Sequence, residues 1–590
     1  MIAKKFWVVL PLGILLCIQT WLLNSHYPYI ASDMYYYLTR LIDTYIHINI
    51  NGVFSVQWWT PTFGGGIPAF PNPLHLQFSI TPYLMFFFSP WVSCQITYIL
   101  MASLGYFLIY NYITKHTDWG FFSAVCTASI FTTNGYFINH ILIGHLNYSS
   151  FIIIAIVPFL ISSSWSIKKC VIVVTTSITY LIYSAGFPTI FLFYISLGQL
   201  FFFLPIIKKE FFPFKRVIII LFLSHIIIFG LVSSKITAVT LQMEVFPRIL
   251  EFFSWQPYYQ VLLTSIFAQL FSWRILMPFE TILPIPADSI LFWLIGSKYE
   301  FWENDVSLSP VVPFVIFFYM IAKFPSIKNL LKSPTNRYGI VATLIIIWVS
   351  IEMSMGKGFF WTLIKDLPVI KSSHVNVRYA GALTLFASII FAHSYSYLIA
   401  NRSAKFKMII TLLFIFITFL SMACYKSITT QKEAYHNFDL TEAESAWSDI
   451  SNKSNIQKVT KIVDVSPHEQ SQLFKLNASS LKPSDALFGY HGQYFRSSLK
   501  SGNIDEIDKE GFYNFHNPLT FYDPKIASIP RAKIHSHDYV NFNLFINRKQ
   551  PNWELPLIQK VANYITLASL FLFFLYIAYF FLKRFQSTHT

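Results

Sequence analysis

The chain has 590 residues, of which 54% are hydrophobic and 12% are charged, and its mean hydropathy is +0.50. Soluble domains carry about 25% charged residues, so this composition excludes a soluble globular protein of the same length. The formal net charge of +15 comes from short Lys and Arg clusters between apolar runs. That pattern is typical of cytoplasmic loops retaining positive charge, and it argues against a nucleic-acid-binding face.

Apolar runs of the length that crosses a bilayer recur along the whole chain. We predict about twelve spanning helices. They begin near Phe6, Val92, Trp119, Tyr148, Cys170, Thr189, Arg216, Pro310, Gly339, Tyr379, Met408 and Val561. The first run is interpreted as a retained anchor, because no small-residue cleavage site follows it. With a cytoplasmic N-terminus, every strongly basic short loop lies in the cytoplasm, and so does the C-terminus.

The sequence divides into a membrane module and one outer domain. Residues 1–424 are predicted to form the transmembrane module, with long outer segments at about 24–91 and 240–309. Residues 425–557 are predicted to form an extracytoplasmic β-rich domain, because stretches such as Val459 to Val465 and Tyr539 to Ile546 alternate apolar and polar residues. Residues 558–590 hold the last helix and a short cytoplasmic tail.

The first outer segment begins with a concentration of polar side chains. Asp33 is followed at helical spacing by Tyr36, Tyr37 and Arg40. A carboxylate, phenols and a guanidinium at the membrane–water boundary can hold a sugar hydroxyl and an anionic lipid head group. An acid in the first turn of a helix is also favoured by the helix dipole alone, so both interpretations stay open at this point.

Two further pairs of side chains are candidates for contacting a sugar acceptor. Trp58 and Trp59 precede a run of three glycines, and they can stack on a sugar or simply anchor the segment at the interface. His140 and His145 lie in the next predicted outer loop. Their spacing of five residues gives weak support to a zinc pair, so each histidine is predicted to bind an acceptor sugar or a backbone carbonyl.

The order of these features resembles the GT-C superfamily of membrane glycosyltransferases, and their detail is similar to its bacterial YfhO-type members. The matching stretches are Ser32-Asp33, the run from Trp59 to Pro68, Gly144-His145, Lys235 with Phe246-Pro247-Arg248, Asn376-Val377-Arg378-Tyr379, and Asn514-Phe515-His516-Asn517-Pro518. The resemblance implies transfer of a sugar from a polyprenyl-phosphate-linked donor to an envelope glycan, lipid or protein acceptor. It also implies the outer face of a bacterial inner membrane as the place of reaction.

The family's acid in the first outer loop corresponds to Asp33, which the resemblance makes the general base that deprotonates the acceptor hydroxyl. Asp43, further along the same predicted helix, is the nearby competitor. The superfamily's usual second acid is absent from the next outer loop, where His140 and His145 stand instead. No metal ligands and no cofactor are therefore assigned, and a divalent metal stays an open alternative.

A departing lipid phosphate builds negative charge that a cation should meet. The candidate donor-phosphate ligands on the outer side are Arg40, Arg248, Lys371 and Arg378. Lys235 interrupts an apolar helix, and an ionisable residue there is a functional candidate by default. Glu280 is predicted to contact the acceptor or to pair with Lys235.

Two other functions fit part of the pattern. A transporter that flips a lipid-linked sugar or polysaccharide would also be a polytopic membrane protein, but it favours mid-membrane charges and matching halves, which are scarce here. A polysaccharide polymerase or ligase of another fold would share the long outer loops without needing an acid directly after the first helix. The lipid bilayer, a lipid-linked donor and an envelope acceptor are the expected partners, and nucleic acid is not.

Overall fold

The described part of the protein is mainly helical. The structure, a computed structural model, describes residues 2–31, 33–162, 165–208, 210, 212–246, 305–330, 332–367, 370, 375–426, 438–452, 458–485, 487–488, 499–523, 525 and 532–589. Three predicted site residues, Arg248, Glu280 and Lys371, lie outside these ranges. Most of the predicted second outer segment lies outside them as well.

The membrane module is a bundle of apolar helices. In chain order they are α1 (Ile2–Leu23), α2 (Met34–Asn51), α3 (Thr81–Leu84), α4 (Pro90–His116), α5 (Gly120–Thr132), α6 (Gly135–Ile143), α7 (Val157–Ile161), α8 (Ile167–Tyr183), α9 (Phe187–Lys208), α10 (Phe214–Val245), α11 (Val311–Leu330), α12 (Pro334–Met355), α13 (Phe359–Ile364), α14 (Ala382–Ile399) and α15 (Ala404–Ala423). Segments of 3-10 helix at Leu146–Ile156 and Asn376–Gly381 precede α7 and α14. Large side chains such as Phe222 and Phe229 of α10 face outward, as lipid-facing residues do.

Nine helical segments of the described chain are long and apolar enough to cross a membrane. They are Phe6–Leu23, Pro90–His116, Gly120–Ile143, Phe187–Lys208, Phe214–Val245, Pro334–Met355, Asn376–Ile399, Ala404–Ala423 and Leu557–Phe580. The other three predicted starts lie on or beside shorter apolar segments, namely Leu146–Ile161, α8 and Val311–Lys323 within α11. An integral membrane protein is therefore confirmed, and the count of twelve spans stays a prediction.

The domain predicted to lie outside the membrane, called the outer domain below, mixes short strands with helices, so its β-rich character stays a prediction. Its elements are β4 (Phe438–Asp439), α16 (Leu440–Asn452), β5 (Lys461–Val463), α17 (Gln472–Leu476), β6 (Ala478–Ser480), β7 (Gly502–Asn503), β8 (Phe512–His516), β9 (Lys533–His535) and α18 (Tyr539–Ile546), and the chain then enters α19 (Leu557–His589). β5 pairs in parallel with β6 and antiparallel with β7, while β8 pairs with β9. The stretch from Val459 to Val465 contains β5, as predicted.

The strand predicted at Tyr539 to Ile546 is wrong, because this stretch is helix α18. Phe542, Phe545 and Ile546 are its buried residues. Their spacing of three and four places them on one face of a helix, so the helical period, and not the apparent alternation, describes this segment.

The first outer segment is bonded directly to the outer domain. Its strand β1 (Tyr29–Ile30) pairs with β4, and its hairpin of β2 (Trp59–Thr60) and β3 (Ile67–Pro68) lies against β6 and β8. Gly65 donates its backbone N–H to Ser480 O at 2.9 Å, and His516 donates to Gly65 O at 2.7 Å. At Gly66, where φ is +100°, an added Cβ would lie 2.9 Å from the Phe545 ring, so the glycine run permits this close approach.

A buried ion pair also connects α2 with the outer domain. Asp43 Oδ1 lies 2.9 Å from Arg548 Nη1, and the two side chains are 4% and 6% exposed. Asp43 also accepts hydrogen bonds from Gln57 Nε2 at 2.7 Å and from the Thr62 hydroxyl. Burial lowers the pKa of Arg548 and the Asp43 carboxylate opposes that shift, so the pair offsets part of the cost of burying the guanidinium.

Replacing Arg548 by Ala should destabilise the protein strongly, because it leaves the Asp43 carboxylate buried without its cation. We expect a loss of about 3–5 kcal/mol in the free energy of unfolding, measured by thermal unfolding of the purified protein in detergent. Lys482→Ala is the matched control, since it breaks a pair at 3.0 Å whose side chains are 36% and 48% exposed, and it should cost less than about 1 kcal/mol. Equal losses in the two variants would contradict the anchoring role of Arg548.

Candidate active site at the start of helix α2

One face of α2 carries polar side chains at spacings of three and four residues, the repeat of a helix face. The series is Asp33 at the N-cap position, then Tyr36, Arg40, Asp43 and His47. Most of this face is buried against the first outer segment and the outer domain. Burial lowers the pKa of His47 to about 4, so this imidazole is neutral at pH 7. Asp33 ends the series and is 39% exposed.

Asp33 is paired with His145. Both are predicted site residues, but the sequence did not predict their contact. Asp33 Oδ2 lies 2.6 Å from His145 Nε2. The Asp33 side chain makes no capping hydrogen bond to α2. Its carboxylate is therefore turned toward the histidine, and helix capping does not account for an acid at this position.

Gly144 brings His145 to Asp33. It ends α6 in the left-handed conformation, with φ of +100°, and a Cβ there would lie 2.7 Å from the backbone nitrogen of Met34. The backbone N–H of Asp33 donates to Ile143 O at 3.1 Å. The end of α6 and the start of α2 thus lie closer together than a residue with a side chain would allow.

A row of rings leads from His145 to Arg378. The ring centroid of His145 lies 5.3 Å from that of His140 and 5.6 Å from that of Tyr148. The Arg378 guanidinium carbon lies 5.2 Å from the Tyr148 ring centroid, within the range of a cation–π contact. His140 contacts Tyr148 at 4.2 Å, and its Nδ1 is 2.8 Å from Tyr136 O. Four predicted site residues therefore meet in one cluster, which we call the Asp33–Arg378 cluster (Asp33, His140, His145, Tyr148 and Arg378).

The predicted site residues Tyr36 and Tyr37 of α2 are hydrogen-bonded within the protein. Tyr36 donates its hydroxyl to Asp485 Oδ2 at 3.1 Å, and Tyr37 donates to Asn147 Oδ1 at 2.7 Å. Burial first, and then the Asp485 carboxylate, raise the pKa of Tyr36 well above its ordinary value. Tyr36 is therefore a neutral donor to Asp485, and the structure shows it contacting the outer domain.

Arg40 is held by the outer domain as well. Its Nη2 donates to Pro483 O at 2.8 Å and lies 3.7 Å from Asp485 Oδ2, while its guanidinium carbon is 3.4 Å from the Phe63 ring centroid. The sequence suggested Arg40 as a phosphate ligand. It gave no indication of the contact with Asp485, because Asp485 lies far along the chain in the outer domain. The structure places Arg40 in an internal ion pair.

Trp58 and Trp59 lie in a hydrophobic core shared with the outer domain. Both are buried. The Trp58 ring centroid is 6.1 Å from that of Tyr522, and the Trp59 ring centroid is 5.7 Å from that of Trp553. Burial of aromatic rings explains the two tryptophans, and the structure does not present their faces at the Asp33–Arg378 cluster.

Lys235, a charge within α10, is bound to the first outer segment. Its Nζ donates to Phe70 O at 2.5 Å and to Asn72 O at 2.9 Å. These carbonyl partners offset the cost of burying an ammonium group within an apolar helix. The suggested pairing of Lys235 with Glu280 involves a residue outside the described ranges.

Asp305 is a site-supporting residue that sequence reasoning missed. It is buried, and its Oδ2 accepts from Asn139 Nδ2 at 2.8 Å and from the Tyr425 hydroxyl. Asn139 is on α6, next to His140, so Asp305 fixes the helix that leads to His145. The only sequence signal is an acid immediately before an apolar run, which is weak by itself.

Within the described ranges, no three His, Cys, Asp or Glu side chains are grouped so that they could hold a metal ion. Asp33 and His145 form a pair of potential ligands, which is fewer than a protein metal site ordinarily supplies.

Comparisons with known proteins give no family assignment. No model of a known protein family matches the chain, and no curated protein matches it. Among solved structures, the chain is similar to the archaeal oligosaccharyltransferase AglB from Archaeoglobus fulgidus, solved with an inhibitory peptide and a dolichol-phosphate. The identity is 14% and the TM-score is 0.36, over 81% of this chain and 64% of that chain, so the chain spans less than two thirds of AglB. This likeness is too low to establish a shared fold.

Replacing Gly144 by Ala should displace the end of α6 from the start of α2, because the new methyl group would meet the Met34 backbone. We expect a lower thermal unfolding midpoint, measured on the purified protein in detergent. Gly52→Ala is the matched control: Gly52 ends α2 with φ of +93°, but an added Cβ meets nothing within 4 Å. A Gly144→Ala variant no more impaired than Gly52→Ala would show that the close approach is dispensable.

Proposed function

We propose that this chain is a membrane glycosyltransferase of the GT-C type. It transfers a sugar from a polyprenyl-phosphate-linked donor to an envelope glycan, lipid or protein acceptor at the outer face of the membrane. The observation that supports this most is the Asp33–Arg378 cluster, in which a partly exposed carboxylate and a guanidinium contact the same group of rings. In the proposed transfer, the carboxylate serves as the base and the guanidinium meets the charge of the departing phosphate.

Asp33 is the proposed general base. As the acceptor oxygen attacks the anomeric carbon, its proton passes to the Asp33 carboxylate. His145 binds Oδ2 of this carboxylate at 2.6 Å, which fixes its orientation. The exposed part of the carboxylate is then available to the acceptor hydroxyl.

Arg378 is the proposed ligand of the leaving group. The bond between the anomeric carbon and the phosphate oxygen breaks, and the polyprenyl phosphate departs with one more negative charge on that oxygen. A guanidinium binds phosphate oxygens through two parallel N–H donors, which stabilises this charge as it forms. Contact with the Tyr148 ring holds the guanidinium against the cluster.

The cell-level part of the proposal follows the distribution of charge in the sequence. Basic loops retained on one side place both termini in the cytoplasm and the outer domain outside, in a bacterial inner membrane.

A flippase receives less support. The buried charge of Lys235 is tied to backbone carbonyls of the first outer segment, and that arrangement suits a fixed structure better than a moving gate.

The first test of this function is Asp33→Asn, assayed in cells that lack the wild-type gene. Loss of the base should reduce glycan modification by about 10²–10⁴-fold, measured by profiling the envelope glycan. Asp464→Asn, which changes an outer-domain acid in an exposed ion pair, should behave as wild type. Unchanged glycan with Asp33→Asn at normal protein level would refute Asp33 as the base, and a change only in the location of the lipid-linked sugar would favour a transporter.

The second test concerns the leaving group. Arg378→Ala should lower the transfer rate by about 10²–10³-fold in membranes supplied with donor lipid. Arg378→Lys should retain more activity, because it keeps the charge and loses only the paired donors. Arg402→Ala is the control, since Arg402 is an exposed arginine that contacts Phe406 in another part of the chain. Equal transfer by Arg378→Ala and wild type would remove Arg378 from the mechanism.

A further inference from the structure

His468 brings the outer domain to the start of α2. It lies in a 3-10 turn, Pro467–Glu469, that contacts α2. The His468 and Tyr35 ring centroids are 4.8 Å apart, with the rings at 69°. Tyr35 stands two residues after Asp33 in the same helix, so an imidazole of the outer domain reaches the neighbourhood of the proposed base.

The turn that carries His468 is closed by hydrogen bonds. Ser466 and Glu469 form a capping box, in which the Ser466 hydroxyl donates to Glu469 Oε2 at 2.8 Å and the Ser466 backbone N–H donates to the same oxygen at 3.3 Å. A closed turn holds the imidazole in a defined position relative to α2. His468 Nδ1 is buried, with no hydrogen-bond partner among the described residues.

The charges around His468 keep its imidazole usable as a hydrogen-bonding group. Burial lowers its pKa, and the carboxylates of Asp33 on α2 and of Glu469 on its own turn oppose that shift. The net direction is downward, so the neutral form is favoured near pH 7 relative to a free histidine. A neutral imidazole offers one donor and one acceptor nitrogen.

We propose that His468 binds the acceptor, holding the hydroxyl-bearing group whose oxygen Asp33 deprotonates. The acceptor then lies between Asp33 and the outer domain, and the donor phosphate lies on the Arg378 side of the same cluster. His468 takes part in no covalent step: the proton passes to Asp33, and the imidazole fixes the acceptor by hydrogen bonding. This inference rests on the glycosyltransferase function proposed above, and it makes the outer domain part of the acceptor site.

The experiment measures transfer as a function of acceptor concentration, with full-length protein in membranes. The donor is a lipid extract and the acceptor is the envelope glycan, both taken from cells that lack the gene. His468→Ala should raise the acceptor concentration for half-maximal rate about tenfold, the effect of losing one hydrogen bond of ordinary strength, and leave the donor dependence unchanged. His468→Gln should recover part of the loss, because its amide still donates and accepts.

His537→Ala is the matched control, since His537 is an exposed histidine of the same domain that contacts His535. It should match wild type, and thermal unfolding midpoints identify any variant that folds poorly. If both His468 variants keep the wild-type acceptor dependence, or change the donor dependence instead, the inference is wrong. Asp33→Asn and the wild-type protein in the same assay separate the proposals: an inactive Asp33→Asn beside a normal His468→Ala overturns only the acceptor role, and a fully active Asp33→Asn overturns Asp33 as the base. No transfer by the wild-type protein itself overturns the glycosyltransferase function.

Discussion

Charges buried along one face of α2 determine how the membrane helices and the outer domain fit together. Asp43 is paired with Arg548, and Arg40 is paired with Asp485. A buried charge without a partner costs several kcal/mol, so each pair stabilises the contact between α2 and the outer domain. Arg40 and Asp43 lie on α2, whereas Asp485 follows β6 and Arg548 follows α18, so two separate parts of the outer domain are fixed against the same helix. Asp33 lies at the end of the same face.

The site is then completed from the membrane side by close packing. Gly144 allows the end of α6 to lie against the backbone of Met34, and His145 follows it directly to reach the Asp33 carboxylate. Tyr148 continues the contact as far as Arg378. Groups held in this way need little reorganisation when charge develops during a reaction, which is the property that makes a preorganised polar site effective.

The outer domain is joined to the first outer segment so closely that the two share a core. Trp58 and Trp59 pack among aromatic residues of the outer domain, and in the glycine run beside them Gly65 donates to the Ser480 backbone and accepts from the His516 backbone. The tryptophans and glycines that suggested a sugar-binding surface are thus accounted for by packing between two parts of the chain. The surface that remains near Asp33 is bordered by the turn that carries His468, so the outer domain, and not the pair of tryptophans, lies beside the proposed base.

The class of protein and much of the helix map follow from the sequence alone, because bilayer-crossing segments need long apolar runs that composition makes visible. The sequence also singled out Asp33, His140, His145 and Arg378, since polar side chains beside apolar helices stand out. Which of these residues meet depends on the tertiary structure. Arg40 pairs with Asp485, Asp43 with Arg548, and Asp33 with His145. The partners are far apart in the chain, and pairing across such distances leaves no local pattern in the sequence. The same reason explains the strand wrongly predicted at α18: its alternation was local, whereas its burial depends on the domain packed around it.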